Sequence, residues 1–422
     1  MTTPTRSRPL ALLSGQTVSN HPFPRWPVFD ESDEQRVLAA LRTGRWGKLA
    51  GTEVTTIEQR FAAMHGARFG IGVVNGSVSL RLALIAAGIK AEDEVIVPAY
   101  TFLASATSVV EANAIPVFAD IELETLNLCP QAFEAAITPR TRAVIVVHFA
   151  GLPAKMDAIL AIAKKHQLAV IEDAAHAHGA IYKGKPVGAL GHLGSFSFQS
   201  SKNLTCGEGG LITTNDPALA ELCISLHNCG RRTNGVWYEH HLNAVNYRLG
   251  ELQGALLNSQ LDRLEAQTNT REENGRYLAA RLAQIPGVYP QKRDADCTRH
   301  AYHVFTFRIV AAEFGVTREL ALQALAAEGV GASAGYPLPL YRQPLFLNQE
   351  FGPYLPRAAA SLDYRKVKNP NCETICYEQG GWYPQSHLLG PRSDMDVIAD
   401  AFERIHTQRD ALNDWTEKSK NR

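Results

Sequence analysis

The chain has 422 residues, 45% of them hydrophobic and 20% charged, which is enough for a large α/β unit with a smaller partner domain. Its 42 basic and 42 acidic residues cancel, so no basic excess argues for nucleic acid as a partner. No apolar run reaches the roughly 20 residues that span a bilayer, and the cysteines at 129, 206, 223, 229, 297, 372 and 376 lack zinc-ribbon spacing, which fits reduced thiols of a cytoplasmic protein and no metal site.

Residues 1–23 carry two arginines and a short apolar patch, Leu10 to Leu13, too short for a secretory core; they read as a flexible leader. From about residue 70, β-rich runs alternate with helix-like stretches. "FGIGVVN" (69–75) precedes "SVSLRLALIAAG" (77–88), and "EVIVPAY" (94–100) precedes "LASATSVVEAN" (103–113). "IPVFADI" (115–121), "RAVIVVHF" (142–149), a helical "KMDAILAIAKKHQ" (155–167) and "LAVIEDAA" (168–175) follow. Nearly continuous apolar strands separated by amphipathic helices predict a parallel sheet covered on both faces. "LGSFSFQSS" and "GGLITTN" predict two close strands around a turn that holds Lys202. Residues 250–285 form one long helical pattern with no proline before Pro286, suited to joining two domains. "HVFTFRIV" (303–310) and "TRELALQALAAEG" (317–329) then predict a strand and a helix of a second α/β segment, and residues 344–386 read as irregular.

Ligands of open parallel sheets sit beyond the carboxyl ends of the strands. Three candidate groups stand there. Asn75-Gly76-Ser77 opens a helix after a strand, where free N–H groups favour an anion, though the same residues serve as a plain helix cap. Asp173 ends the apolar strand in "VIEDAAHAHGA", where a carboxylate needs a cationic or hydrogen-bonding partner; it can instead cap a turn, with His176 and His178 as polar packing. Lys202, flanked by small residues, is a candidate for a desolvated amine of lowered pKa that attacks a carbonyl. Pyridoxal phosphate needs an anion cradle, a ring-nitrogen partner and an amine, and these three supply them in chain order.

The combination "NGSVSLRLAL", "DEVIVPAYTFLASA", "VIEDAAHAHGA", "FSFQSSKNLTCGEGG" and "NYRLGELQGALLNSQLDRL" resembles the DegT group of sugar and cyclitol aminotransferases, from about Pro24 to Ala401. The resemblance implies an α/β, fold type I pyridoxal-phosphate enzyme. A large domain over 24–265 would carry a mostly parallel sheet covered by helices, and a smaller C-terminal α/β domain would follow over 266–422. It implies that Lys202 bonds the aldehyde of pyridoxal 5′-phosphate and moves a proton. Asp173 would hold the pyridinium nitrogen and His176 would lie near the ring's phenolic oxygen. Phe102 would stack on the ring, and Gly76, Ser77 and Ser197 would hold the phosphate. Asn246 would reach the phosphate of a neighbouring subunit, so the resemblance implies a homodimer with shared sites. Gln199 stands where relatives often have His, and only a weak role is expected of it.

The opening "FPRWPVFDESDEQRVLAALRTGRWGKLAG" resembles the branch of aminohydroxybenzoate synthases and glutamine-dependent cyclitol aminotransferases. Tyr341 replaces a His found near the substrate in relatives, which favours a ketocyclitol over a nucleotide sugar. The expected activity is ping-pong transfer of an amino group from glutamine or glutamate to a keto-sugar or ketocyclitol. The alternatives are a dehydrating, aromatising lyase that uses the same Lys202, and a non-catalytic regulatory protein on the same fold. Residues 346–382 match the family least.

Overall fold

In the computed structural model, which describes residues 8–16, 18–354 and 363–420, the first β-rich runs become β1 (Phe69–Val73), β2 (Glu94–Pro98), β3 (Ile115–Ala119), β4 (Thr141–Val147) and β5 (Ala169–Asp173). The short β6 (Ile181–Tyr182) and β7 (Lys185–Pro186) follow, then β8 (Leu193–Ser197) and β9 (Gly210–Thr214). Without β6 and β7 these form a seven-stranded sheet, ordered β1-β9-β8-β5-β4-β2-β3. From β8 to β3 every pairing is parallel; β9 pairs antiparallel with both β1 and β8, so it alone runs against the rest.

Successive strand residues feed opposite faces, as a period of two requires. Val95, Val97, Ile145 and Ile171 join a core with the helices Gly76–Ala86 and Ala104–Glu111. Ile96, Val144, Val146 and Val170 join a second core with Phe61 of the helix Glu53–Met64 and Ile159 of the helix Met156–Lys165. Both faces are covered, which is why the strands read as unbroken apolar runs rather than alternating ones.

The long helical pattern is one helix, Glu251–Leu282, of 32 residues and so about 48 Å long. Leu257, Leu261 and Leu264 bury in the second core, whereas Leu278 and Leu282 bury in a third. That third core holds Phe305, Phe307 and Ile309 of β12 (Val304–Ile309). β12 lies between β10 (Val288–Pro290) and β13 (Gly380–Pro384), both antiparallel to it; β11 (Cys297–Arg299) instead pairs with β6. The helices Arg318–Ala327 and Arg392–Thr407 cover the same core.

The apolar patch of the expected flexible leader docks here. Leu10 is fully buried in the third core, and the Ala11 N–H donates to Glu328 Oε1 at 2.7 Å. A little further on, His21 pairs with Asp394 at 3.0 Å. Of the stretch read as irregular, residues 355–362 lie outside the described residues; the remainder holds short helices such as Pro344–Leu347 and Pro370–Thr374 and ends in β13. No helix among the described residues is long and apolar enough to cross a membrane.

Candidate active site

The site lies at the carboxyl ends of β1, β5 and β8. After β1, Asn75 is extended, and its side chain accepts the Val78 N–H at 2.9 Å, capping the helix Gly76–Ala86. Gly76 is there because nothing larger fits: a Cβ on it would stand 2.7 Å from Cβ of Ser197. A Cβ on Gly210 would likewise stand 2.4 Å from the Asn75 carbonyl group. Three chain segments thus meet at backbone contact around a helix N-terminus, with Ser77 and Ser197 at its rim, and form a cradle suited to a phosphate.

Asp173 closes β5 and is buried. Ser105 Oγ donates to its Oδ2 at 2.7 Å and the Ala175 N–H to its Oδ1 at 3.2 Å. Burial raises its pKa, against these two bonds and the charge of Lys202, which lower it. Lys202 ends a tight turn after β8. Its N–H donates to the Gln199 carbonyl at 2.9 Å, while Gln199 Oε1 accepts the Ser201 N–H at 2.8 Å. Burial pushes the Lys202 amine down to about 8, with Asp173 opposing. The amine is thereby poised near neutrality as a nucleophile and a proton carrier.

These groups line one cavity of about 510 Å³. Gly76, Ser77, Phe102, Asp173, His176, Ser197 and Lys202 all border it, together with Thr101, Gln199, His303 and Tyr336. Phe102 stands 57% exposed at this cavity and is not a core aromatic. His176 is buried with Nδ1 lacking a partner, and its ring lies 4.2 Å from that of His303. Burial first, then Lys202, holds His176 neutral, well below the ordinary histidine range. A cradle for an anion, a carboxylate for a ring nitrogen and one desolvated amine fit pyridoxal 5′-phosphate.

A family model described as the DegT/DnrJ/EryC1/StrS aminotransferase family matches residues 27–376. The chain belongs to this family. It is a pyridoxal-phosphate-dependent aminotransferase. Among its family relatives, it is 39% identical, over 96% of its length and 99% of theirs, to a provisionally named L-glutamine:3-amino-2,3-dideoxy-scyllo-inosose aminotransferase of Streptoalloteichus tenebrarius. It is 36% identical to the 3-amino-5-hydroxybenzoate synthase of Amycolatopsis mediterranei, over 90% of this chain and 98% of that one. A crystal structure of 3-amino-5-hydroxybenzoic acid synthase superposes with a TM-score of 0.80 at 35% identity, over 90% of this chain and 99% of the other.

Two residues of this DegT-family chain stand apart from the cavity. Asn246 forms a bridge with Asn228 and does not line it. Tyr341, expected near the substrate, is fully buried instead. Its hydroxyl donates to Glu373 Oε1 at 2.8 Å and accepts the Asn369 N–H at 3.1 Å. The tyrosine that borders the cavity is Tyr336, five positions earlier, so Tyr341 carries no argument about the acceptor. Ser105, His303 and Tyr336 escaped the sequence reading. Ser105 sits 68 positions from Asp173, and no local pattern ties the two together.

Proposed function

We propose that this aminotransferase moves an amino group from L-glutamine or L-glutamate to a ketocyclitol or keto-sugar, in two half-reactions that use the same cavity. The observation that carries this reading is the convergence of Lys202, Asp173 and the Gly76 cradle on one cavity. When bound, pyridoxal phosphate supplies an electron-withdrawing ring that makes a C–H beside the transferred nitrogen acidic. Lys202 takes that proton and returns it to the carbon on the other side of the same nitrogen, which its lowered proton affinity permits in both directions near neutral pH. Asp173, oriented by Ser105 and the Ala175 N–H, sets a negative charge against the ring nitrogen. Gly76, Ser77 and Ser197 hold the phosphate, Phe102 covers a ring face, and His176 stands by the ring oxygen. Asn246 completes the phosphate site of a second copy, in a homodimer. Identity to the scyllo-inosose aminotransferase supports a ketocyclitol acceptor and glutamine as donor.

The test is the absorbance spectrum of the purified protein before and after L-glutamine. The near-visible band of the cofactor-loaded protein shifts to shorter wavelength with the donor, and Lys202→Ala abolishes the starting band. A band indifferent to both glutamine and glutamate refutes the reading. Identity to the aminohydroxybenzoate synthase favours a second reading, in which Lys202 removes a ring proton and water leaves as the ring becomes aromatic. An aromatic product from an aminated cyclic precursor would select it.

A further inference from the structure

The cavity contains an acceptor that the proposed mechanism leaves unused. His303 begins the segment that leads into β12 and is buried at the cavity wall, against His176. Its Nδ1 lies 3.2 Å from Oδ1 of Asn203, the residue after Lys202. The amide of Asn203 is itself fixed, because Nδ2 donates to the Ala301 carbonyl at 2.7 Å. A carbonyl cannot donate, so Asn203 must present an acceptor, and Nδ1 of His303 must carry the proton. The other ring nitrogen, Nε2, is then an unprotonated lone pair. Burial above all, and then its neighbours His176 and Lys202, disfavour a positive charge on it.

Apart from His176, whose buried Nδ1 lacks a partner, and Tyr336, the polar groups along the wall are committed or exposed. Gln199 is spent on the lysine turn, Asp173 on Ser105, and Thr101 on Ser105 as well. Glu208 stands in solvent. Tyr336 can donate as well as accept. Among the described residues no partner at Nδ1 sets the tautomer of His176, whereas Asn203 sets that of His303. His303 is therefore the wall histidine fixed as an acceptor, and a ligand satisfies it only by offering an O–H or N–H.

We propose that Nε2 of His303 accepts a hydrogen bond from a hydroxyl of the ketone substrate, which makes His303 a specificity-determining residue, set in its tautomer by Asn203. This rests on the polyhydroxylated-ketone reading of the acceptor. A ring ketone without hydroxyls leaves the lone pair dry and unpartnered, and the site rejects it for that reason.

The test has two arms on the cofactor-loaded protein. Long-range proton–nitrogen spectra of nitrogen-15 histidine-labelled protein, assigned with His303→Phe, report the tautomer directly. The expected result is a protonated Nδ1 and a bare Nε2, whose signal moves when scyllo-inosose is added and not when cyclohexanone is added. Asn203→Leu should mix the tautomers. A protonated Nε2, or a signal that scyllo-inosose leaves in place while it binds, overturns the assignment. In the kinetic arm, His303→Phe lowers kcat/KM for scyllo-inosose roughly tenfold to a hundredfold more than it lowers the single-turnover rate with L-glutamine. Equal losses in both half-reactions mean a merely structural residue and overturn the proposal. A wild-type enzyme that reacts with L-glutamine but neither binds nor turns over scyllo-inosose instead refutes the ketocyclitol reading, and the tautomer in the spectra still decides the role of Asn203.

Discussion

A lysine on an open surface keeps its proton at neutral pH, so fewer than one molecule in a thousand offers a free amine. Lys202 differs because its turn folds it against the sheet ends, and burial pushes its pKa to about 8. Roughly a tenth of the amine is then neutral at pH 7. The folded value lies below the ordinary one of 10.5, so protonation is complete in both folded and unfolded chains well below pH 8. Between about pH 8 and 10.5 the unfolded chain binds the extra proton, and the cofactor-free protein gains stability as pH rises through that window. A kinetic consequence follows. Cofactor capture by the apo-protein should quicken about tenfold between pH 6 and 7 and level off above pH 8. Stopped-flow absorbance reads this, and a rate still climbing about tenfold per unit near pH 9 would show an amine of ordinary basicity.

At the scale of the element, the helix Glu251–Leu282 makes a sharper prediction than its composition suggests. Glycine within a helix normally costs about 1 kcal/mol relative to alanine. Gly275 reverses the sign, because a Cβ there would stand 2.6 Å from the ring of Tyr302, which is buried and stacked at 3.7 Å on His300. Gly275→Ala should destabilise the protein by about 1–3 kcal/mol through overpacking. Urea unfolding checks it, and an unchanged or raised midpoint would mean that Tyr302 moves aside freely. This helix was readable in the sequence, as were the strands β1 to β5, since doubly covered strands show unbroken apolar runs and a long helix shows no proline. Phe102, Asp173, Ser197 and Lys202 were readable too, since each follows or ends such a strand. His303 and Tyr336 were not. They come from segments beyond the long helix, and only the packing of the third core brings them over the sheet ends. β13 was missed because "GGWYP" has neither alternation nor β-branched residues. Tyr341 misled because Tyr336, five positions earlier, borders the cavity while the ring of Tyr341 turns inward against Phe118.

For the whole molecule, formal net charge is zero, and large apolar side chains stand in solvent on one excursion of the chain: Val236 at 67%, Trp237 at 77% and Tyr238 at 71%. Asn246 ends that excursion. Exposed apolar groups in such number mark an interaction surface, which accords with the proposed homodimer. Co-expression of Lys202→Ala with Asn246→Ala tests the sharing of sites. If Asn246 serves the partner's cavity, each mixed dimer keeps one intact site, and statistical mixing restores about a quarter of wild-type activity. If Asn246 acts within its own chain, mixing restores nothing beyond the sum of the two variants.

The docking of Leu10 also sets an order on how the protein is made. Its backbone N–H donates to Gln408 Oε1, 398 positions away, and Arg8 pairs with Glu328. On a ribosome the first of these residues emerges long before the last, so the N-terminal segment waits, apolar patch uncovered, while the seven-stranded sheet has all its strands by Thr214. The third core closes only when the helix Arg392–Thr407 has cleared the exit tunnel. Nascent chains of this protein therefore pass through a long interval with the strands of the cradle complete and without the wall that His303 and Tyr336 supply, which they acquire in the final stage of biogenesis.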